Sequence, residues 1–256
     1  MNSTLFDLDG RVALVTGSSR GIGLTLATGL ARAGATVVVH GRDQASLDRV
    51  RDSISEGTGA EVFTATFDVT DAAAVDDGIS RVESEAGTID ILVNNAGIQR
   101  RSPFTEFALS DWNDLIATNL TSAFLVGQRV ARSMVARGHG KIVNIGSVQS
   151  QLGRPGIAPY AATKGGIAML TKGMCADLAP SGIQVNALAP GYFATELTKA
   201  LVDDEQFSAW VRSRTPAGRW GDVEDLVGTL VYLSSSASNF VNGQIIYVDG
   251  GMTAVV

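Results

Sequence analysis

Residues 11–23 decide the fold, because in RVALVTGSSRGIG a run of apolar and β-branched residues leads directly into a glycine-rich turn. Residues 11–16 have the composition of a buried strand, and apolar side chains recur with helical period after residue 21. In such a strand–turn–helix unit, glycines let the backbone approach a pyrophosphate, and the amide groups at the helix start attract its charge. We therefore expect a phosphate-binding turn at this position.

The glycines of this turn are spaced G-x-x-x-G-x-G, which departs from the commoner G-x-G-x-x-G. The interpretation therefore depends on the strand before the turn and on the helix after it. The residues predicted to bind the cofactor here are Gly17, Ser19, Arg20, Gly21, Ile22 and Gly23.

Outward from this unit, short β-branched runs alternate with longer segments of helical period. The predicted strands are 11–16, 36–40, 61–66, 89–93, 141–146, 183–188 and 244–248. The predicted helices are 21–33, 44–55, 71–86, 110–137, 158–179 and 222–234. This alternation predicts an α/β fold, a single-domain Rossmann-like doubly wound sheet of about seven parallel strands with helices on both faces.

The composition limits the domain count and the partners. A chain of 256 residues suffices for one large α/β domain, so 1–256 is expected to be a single unit. A net charge of -6 provides no basic surface for nucleic acid. The sequence contains neither a secretory leader nor a run of about 18 apolar residues, which predicts a cytoplasmic protein that does not contact membranes. Because the histidines are His40 and His139 and the one cysteine is Cys175, we expect no metal site and no intrachain disulfide.

Segment 191–221 interrupts the alternation, since it is charged and contains no clear strand. An insertion after a late strand of such a sheet lies beside the ligand crevice, where lids are often built. The segment is therefore predicted to be a substrate lid, although a surface excursion without function would have the same composition.

The end of the second predicted strand indicates which nicotinamide cofactor is bound. A carboxylate at this place binds the ribose hydroxyls of NAD, but here Gly41 occupies the position and Arg42 follows it. Arg42 and Arg20 are suited to hold the 2′-phosphate of NADP(H). In the alternative interpretation, Arg42 is a solvated surface residue and Asp43 caps the next helix. We predict NADP(H).

A phenol and an ammonium group, Tyr160 and Lys164, lie four residues apart and hence on one face of the predicted helix 158–179. A nearby cation favours the phenolate, so such a tyrosine can take a proton from an alcohol while hydride leaves for nicotinamide. Ser147 follows the fifth predicted strand, at the edge of the sheet that faces the crevice. Its hydroxyl could hydrogen-bond the reacting oxygen.

With these residues in place, the chain resembles the classical short-chain dehydrogenase/reductase family along nearly its whole length. The motifs that carry the resemblance are Thr16-Gly17-x3-Gly21-x-Gly23, Asn94-Asn95-Ala96-Gly97, Asn119, Ser147, Tyr160-x3-Lys164 and Pro190-Gly191. The resemblance implies that Tyr160 is the general acid/base and that Ser147 orients the substrate oxygen. It also implies that Lys164 lowers the pKa of Tyr160 and holds the nicotinamide ribose, and that Asn119 anchors a water of a proton relay.

The resemblance further implies which other residues contact the cofactor, alongside Tyr160 and Lys164. Asp68 and Val69 are expected at the adenine. Beside the cofactor are expected Asn95, Ala96 and Gly97, and over the nicotinamide Pro190, Gly191 and Thr195. Members of this family commonly form tetramers partly through the carboxyl-terminal segment, so the resemblance implies a homotetramer.

The residues predicted to line the substrate site are polar and cationic, which suits a hydroxylated acid better than a steroid. They are Arg100, Ser147, Gln149, Arg154, Tyr160 and Tyr192. Arg101 could take the place of Arg100, and any of these arginines could instead point to solvent or form salt bridges between subunits.

Longer strings narrow the resemblance, because NNAGIQRR (94–101), GYFATEL (191–197) and TPAGRWG (215–221) are similar to those of bacterial gluconate 5-dehydrogenases. This similarity implies NADP-linked interconversion of D-gluconate and 5-keto-D-gluconate, with a sugar acid as the small-molecule partner. The alternatives are a 3-oxoacyl-carrier-protein reductase, another polyol or sugar dehydrogenase of the family, and a nucleotide-binding subunit without catalytic activity.

Overall fold

The sheet contains seven parallel strands, in agreement with the sequence prediction. The computed structural model describes residues 5–256, with every side chain in that range except that of Leu197. The strands are β1 (Val12–Val15), β2 (Thr36–Gly41), β3 (Val62–Thr66), β4 (Ile91–Asn94), β5 (Gly140–Ile145), β6 (Ile183–Pro190) and β7 (Ile245–Val248). Their order across the sheet is β3-β2-β1-β4-β5-β6-β7. The predicted α/β sheet is therefore confirmed.

Helices cover both faces of this sheet. They are α1 (Gly21–Arg32), α2 (Gln44–Thr58), α3 (Ala72–Glu85), α4 (Leu109–Ile116), α5 (Ser122–Arg137), α6 (Ala158–Leu178), α7 (Lys199–Val202), α8 (Glu205–Arg214) and α9 (Val227–Ser234). The segment 110–137, predicted as one helix, consists of α4 and α5 joined by a π-helical turn, Ala117–Thr121. In the predicted helix 222–234, a 3₁₀ turn precedes α9.

The core is divided by the sheet into two apolar clusters. Ala13 and Val15 of β1 belong to the cluster that contains Leu30 of α1, whereas Leu14 belongs to the cluster that contains Met134 of α5. Successive side chains of a strand point to opposite faces, so β1 contributes to both clusters. Burial on both faces explains why β1 is a continuous apolar run and does not alternate with polar residues.

The crevice of the fold lies where the strand order reverses. β1 is flanked by β2 and β4, which start connections to opposite sides of the sheet. Ligands of such folds bind outside the carboxyl ends of the strands at this switch point. The glycine turn follows β1, Asn95 follows β4 and Ser147 lies just beyond β5, so the predicted site residues lie along one edge of the sheet.

The segment 191–221 is an ordered excursion that contains α7 and α8. Its two ends are joined, since Phe193 forms a parallel bridge with Gly221 and the amide of Gly221 donates to the carbonyl of Tyr192 at 2.8 Å. Phe193 is itself buried in the core, which attaches the base of the segment to the sheet. Over residues 5–256, none of the helices is both long enough and apolar enough to cross a membrane.

Candidate active site

Two glycines of the turn after β1 are required by close packing. Gly17 has a φ of +64°, and a Cβ there would lie 2.9 Å from Cα of Ala96. A Cβ at Gly23 would collide with the Asn95 side chain and the Gly17 carbonyl. Gly21, in contrast, has a φ of +56° and no heavy atom within 4 Å of its Cβ position. Its surroundings therefore leave room for a ligand at the start of α1.

The segment after β4 supports this turn. The Thr16 hydroxyl accepts from the amides of Asn95 and Ala96 at 3.0 and 3.1 Å, and the Asn95 side chain donates to the carbonyls of Thr16 and Gly17 at 2.9 and 3.1 Å. These bonds connect β1 and β4 across the switch point. They hold the turn in one conformation before any ligand binds.

His40, which sequence reasoning considered only as a candidate metal ligand, supports the turn from the other side. Nδ1 of His40 accepts from the amide of Gly17 at 3.1 Å, so Nε2 carries the proton and donates to the carbonyl of Phe67 at 3.1 Å. Burial lowers the pKa of His40 to about 4. The neutral imidazole thereby links the glycine turn to the segment after β3. The sequence signal that could have indicated this role is the position of His40, a polar residue near the end of the otherwise apolar strand β2.

The residues predicted to select the cofactor lie together at the ends of β2 and β3. A Cβ on Gly41 would be 3.6 Å from the Ser19 side chain, and Arg20 and Arg42 are both exposed. The charge of Arg42 lowers the pKa of Asp68, after the larger effect of the Thr70 hydrogen bonds. Val69, next to Asp68, is buried. Asp43 does cap α2, accepting from the amide of Ser46 at 2.8 Å, which leaves the adjacent Arg42 available.

Ser147, Tyr160 and Lys164 meet at the carboxyl end of β5. Ser147 is buried and caps a 3₁₀ turn, Val148–Ser150, with its hydroxyl. Lys164 is buried too, and Nζ donates to the carbonyl of Ile145 at 2.7 Å and lies 5.8 Å from the ring centroid of Tyr160. The phenol and the ammonium group thus lie on one face of α6, as the spacing predicts.

The electrostatic balance at Tyr160 differs from the expectation. Burial raises the pKa of Tyr160, and the hydrogen bond with Ser147 and the charge of Arg101 lower it by less. Burial lowers the pKa of Lys164 to about 8. The implied lowering of the phenol pKa by Lys164 is therefore not the net result in this structure. The reason is that burial of the phenol raises its pKa by more than the Ser147 hydrogen bond and the charge of Arg101 lower it.

Asn119 lies in the π-helical turn, with its side chain directed to the segment after β4. Its Oδ1 accepts from the amide of Ile98 at 2.7 Å, and Nδ2 donates to the carbonyl of Ile98 at 2.9 Å and to the hydroxyl of Thr163 at 3.3 Å. The amide therefore fixes Gly97 and Ile98 relative to α6. Its implied role as the anchor of a relay water stays a prediction.

Ser150 is a supporting residue that sequence reasoning missed. Its hydroxyl donates to the carbonyl of Lys164 at 2.9 Å and accepts from the amide of Ser147 at 3.3 Å. One side chain thus fixes the distance between the turn of Ser147 and α6. The only sequence signal was its position three residues after Ser147, which is the spacing of a capping box.

The geometry is matched by comparisons with known proteins. The family model described as "Enoyl-(Acyl carrier protein) reductase" matches residues 17–253. The chain belongs to the short-chain dehydrogenase/reductase family. It is 61% identical to a gluconate 5-dehydrogenase of Gluconobacter oxydans (strain 621H), over 97% of each chain. It is 52% identical to a 5-keto-D-gluconate 5-reductase of Escherichia coli (strain K12), over 98% of this chain and 99% of the relative.

A solved structure provides the corresponding comparison in three dimensions. The gluconate 5-dehydrogenase from Burkholderia cenocepacia J2315, in complex with NADP and tartrate, superposes with a TM-score of 0.96. The two sequences are 57% identical, and the match covers 98% of each chain. Because 98% of this chain is covered, the shared fold extends into the segment 191–221.

In this dehydrogenase/reductase chain, the arginine near the predicted substrate site differs from the one that the sequence favours. Arg100 and Arg101 are both exposed, but Arg100 pairs with Asp111 at 3.4 Å, so its assignment to the substrate is not supported. The charge of the adjacent Arg101, in contrast, lowers the pKa of both Tyr160 and Tyr192. Arg101, which the sequence left as an alternative, is the better candidate.

The remaining predicted substrate residues lie near Tyr192. Burial raises the pKa of Tyr192, while the charge of Arg154 and a hydrogen bond with it lower that pKa. The Arg154 guanidinium lies over the ring of Phe207, 5.1 Å from the centroid. Nε of Arg154 and Oε1 of Gln149 are buried without a hydrogen-bond partner among the described residues. Both atoms are therefore shielded from solvent and unpaired in this structure.

The residues predicted to cover the nicotinamide follow β6. Gly191 packs so closely on Asp249 that a Cβ would lie 2.8 Å from Cα of that residue. Thr195 caps the 3₁₀ turn Glu196–Thr198, with its amide donating to the Thr198 hydroxyl at 2.8 Å. Pro190, at the end of β6, is buried. Within the part of the chain that the structure describes, there is no group of three or more His, Cys, Asp or Glu side chains placed to hold a metal ion.

Proposed function

We propose that this chain is an NADP-dependent oxidoreductase that interconverts D-gluconate and 5-keto-D-gluconate. The observation that carries the proposal is the meeting of Ser147, Tyr160 and Lys164 at the sheet edge beside a wall with two available guanidinium groups, Arg101 and Arg154. The first three side chains suit proton transfer to and from a secondary alcohol. The two guanidinium groups suit binding of an anionic, hydroxylated substrate.

The residues of the crevice fit a dinucleotide. Gly17 and Gly23 pack the turn against Asn95 and Ala96, and the open position at Gly21 leaves the amide groups at the start of α1 accessible to a pyrophosphate. Ser19, Ile22, Gly97 and Val69 line the same edge. Bound NADP supplies the hydride acceptor in oxidation and the donor in reduction.

Each catalytic side chain then has one task. In oxidation, the phenolate of Tyr160 takes the proton of the C5 hydroxyl while C5 loses hydride, and in reduction the phenol returns the proton. The Ser147 hydroxyl hydrogen-bonds the reacting oxygen and orients it towards the phenol. Lys164 holds the ribose next to the nicotinamide and passes protons to solvent through water anchored at Asn119.

The choice of NADP over NAD follows from charge at the end of β2. Arg20 in the glycine turn and Arg42 next to Gly41 are both exposed. A carboxylate at position 41 would repel a 2′-phosphate. Guanidinium groups form charge-assisted, paired hydrogen bonds with phosphate. The Burkholderia relative is solved with NADP, which supports the same choice here.

The preference for a sugar acid follows from the wall. Arg101 and Arg154 provide positive charge for a carboxylate, and Gln149 and Tyr192 provide groups for hydroxyls. The tartrate bound by the Burkholderia relative is a hydroxylated dicarboxylate, which such a wall suits. We propose that segment 191–221 closes this wall as a lid.

The proposal is tested by a substrate panel with purified protein. NADPH oxidation is followed with 5-keto-D-gluconate, other ketoses and a 3-oxoacyl thioester, and then repeated with NADH. We expect the highest kcat/KM with NADPH and 5-keto-D-gluconate, and a loss of about 10²–10⁴-fold in Tyr160→Phe. A higher kcat/KM with the thioester would replace the proposal with the carrier-protein reductase, and an unchanged rate in Tyr160→Phe would reject the proton transfer.

Exposed apolar side chains on two surfaces of the molecule suggest how subunits assemble. A groove between α5 and α6 is lined by Phe124, Val135 and Met174, and Phe124 is 45% exposed and Val135 43%. Phe240 and Val256, in the carboxyl-terminal segment, are also exposed apolar residues. We propose that these surfaces are covered in a homotetramer. We also propose that the protein acts in the cytoplasm, which the use of NADPH supports.

A further inference from the structure

We infer that Phe207 is a positioning residue for substrate specificity, because its ring holds the Arg154 guanidinium where the carboxylate of the substrate binds. Selectivity for an acid then depends on this one ring, which belongs to the aromatic cluster of segment 191–221 formed by Tyr192, Phe207, Trp210 and Trp220. The inference rests on the proposed function, since it assigns Arg154 to the carboxylate end of a sugar acid.

Arg154 has the surroundings of a group that awaits an anion. Its guanidinium carbon is 5.1 Å from the Phe207 ring centroid, within the range of a cation–π interaction. Its Nε is buried and lacks a partner among the described residues. A buried N–H group without an acceptor is unfavourable, so a shift of the guanidinium that lets Nε donate to an incoming carboxylate would remove this cost.

Gln149 provides the complementary half of the recognition. Its Oε1 is also buried without a partner in the described part of the chain, and the residue belongs to the 3₁₀ turn that Ser147 caps. A donor without a partner at Arg154 and an acceptor without a partner at Gln149 are separated by only five positions in the chain. Together they match a ligand with a carboxylate and hydroxyl groups.

The position of Phe207 is fixed by segment 191–221 itself. Its ring centroid lies 5.7 Å from that of Tyr192, 5.4 Å from that of Trp210 and 6.2 Å from that of Trp220. The indole of Trp220 donates to Ser208 Oγ at 3.1 Å, and Ser208 donates to the carbonyl of Val202 at 2.7 Å. The ring is thus anchored on α8 independently of Arg154, and it can orient the guanidinium.

Arg154 and segment 191–221 therefore have different roles in recognition of the acid. Arg154 carries the charge that recognises the acid, but its direction depends on a ring from another segment. Loss of that ring should therefore weaken the binding of acids while the hydride and proton transfers, which involve Tyr160, Ser147 and Lys164, continue.

The experiment compares D-gluconate with its uncharged amide, D-gluconamide, in NADP-dependent oxidation. The variants are Phe207→Leu, which loses the ring, Phe207→Tyr, which keeps it, and Trp210→Leu, which removes a ring of the same cluster. In the described residues, Phe207 is the aromatic ring under Arg154, so Trp210→Leu is the matched control. We expect Phe207→Leu to raise KM for gluconate roughly threefold to tenfold, with KM for gluconamide and kcat little changed.

Three further outcomes decide the inference. Phe207→Tyr should restore the gluconate preference, and Phe207→Leu should add nothing in an Arg154→Gln background. Equal losses for gluconate and gluconamide, or equal effects of Phe207→Leu and Trp210→Leu, would show a structural role of Phe207 and overturn the inference.

If the wild-type protein oxidises neither compound, the proposed function fails. Calorimetric binding of tartrate to the NADP-loaded variants then tests Phe207 separately, and equal tartrate affinities in wild type and Phe207→Leu would reject its role.

Discussion

Tyr160, the proposed proton donor and acceptor, is surrounded by groups that shift its pKa in opposite directions. Burial raises the pKa of its phenol, and the nearest influences that lower it are the Ser147 hydroxyl and the charge of Arg101. Oxidation of an alcohol needs the phenolate, whereas reduction of a ketone needs the phenol. The rate of oxidation should therefore rise with pH over a range in which reduction is nearly constant.

This balance predicts an effect of Arg101 that is separate from substrate binding. Removal of the positive charge in Arg101→Gln should raise the pKa of Tyr160 further and move the kcat/KM profile for gluconate oxidation to higher pH. The profile is measured between neutral and alkaline pH with NADP. Arg100→Gln is the matched control, since Arg100 pairs with Asp111 at the surface. A profile that both variants shift equally would contradict the assignment of Arg101.

Cofactor selectivity is also determined by single residues. Arg42→Ala removes a charge-assisted contact with the 2′-phosphate, so NADPH affinity should fall about 10–100-fold while NADH affinity stays nearly constant. Gly41→Asp should act in the same direction, because the new carboxylate repels the phosphate. Dissociation constants are measured by fluorescence titration. Arg49→Ala, which removes a neighbouring exposed charge on α2, should leave the NADPH affinity unchanged. Parallel losses for NADPH and NADH would reject the role of Arg42.

At the scale of elements, the central strands β1, β2 and β4 are well predicted because they are buried and form continuous apolar, β-branched runs. The π-helical turn Ala117–Thr121 was not predictable, since no residue type specifies i→i+5 bonding. The partners of Asn119 are far away in sequence, at Ile98 and Thr163, and depend on how β4 and α6 pack. For the same reason, motif order predicted the side chains that meet at the end of β5 but could not distinguish Arg100 from Arg101.

His40 couples two elements, and this coupling predicts an acid-sensitive stability. The unfolded chain binds a proton at His40 as the pH falls through about 6.5, but the folded chain does so only near a pKa of about 4. The unfolded state therefore gains protons first, and stability is lost as the pH falls between these values. At about 1.4 kcal/mol per unit of pKa difference, the loss is on the order of 3 kcal/mol.

His40→Gln tests this coupling, since its amide can accept from Gly17 and donate to Phe67 without titrating. The free energy of unfolding is measured by denaturant titration at pH 7 and pH 4.5. We expect His40→Gln to lose less stability between the two pH values than wild type. His40→Ala, which leaves both backbone groups without their partner, should already be less stable at pH 7, by about 2–4 kcal/mol. The same pH dependence in wild type and His40→Gln would show that other groups cause it.

At the scale of the whole molecule, the sheet concentrates polar function at one edge and leaves apolar surface elsewhere. Phe124, Val135 and Met169 of α5 and α6 are exposed, although the opposite sides of these helices pack on the sheet. A helix with apolar residues on both sides is expected to contact another protein surface. Neither the glycine turn nor the catalytic set explains these residues, so assembly is their most direct explanation.

This reasoning predicts that a charge in the groove separates subunits without unfolding them. Phe124→Glu places a carboxylate on the exposed side of α5, where burial against another subunit would cost several kcal/mol. Sedimentation should show a tetramer for wild type and smaller species for Phe124→Glu, with NADPH binding retained because the glycine turn lies at the edge of the sheet. Leu5→Ser, which replaces an apolar residue that is 62% exposed and lies outside the groove, should remain tetrameric. An unchanged tetramer in Phe124→Glu would place the subunit contacts on another surface, with the carboxyl-terminal residues Phe240 and Val256 as the next to test.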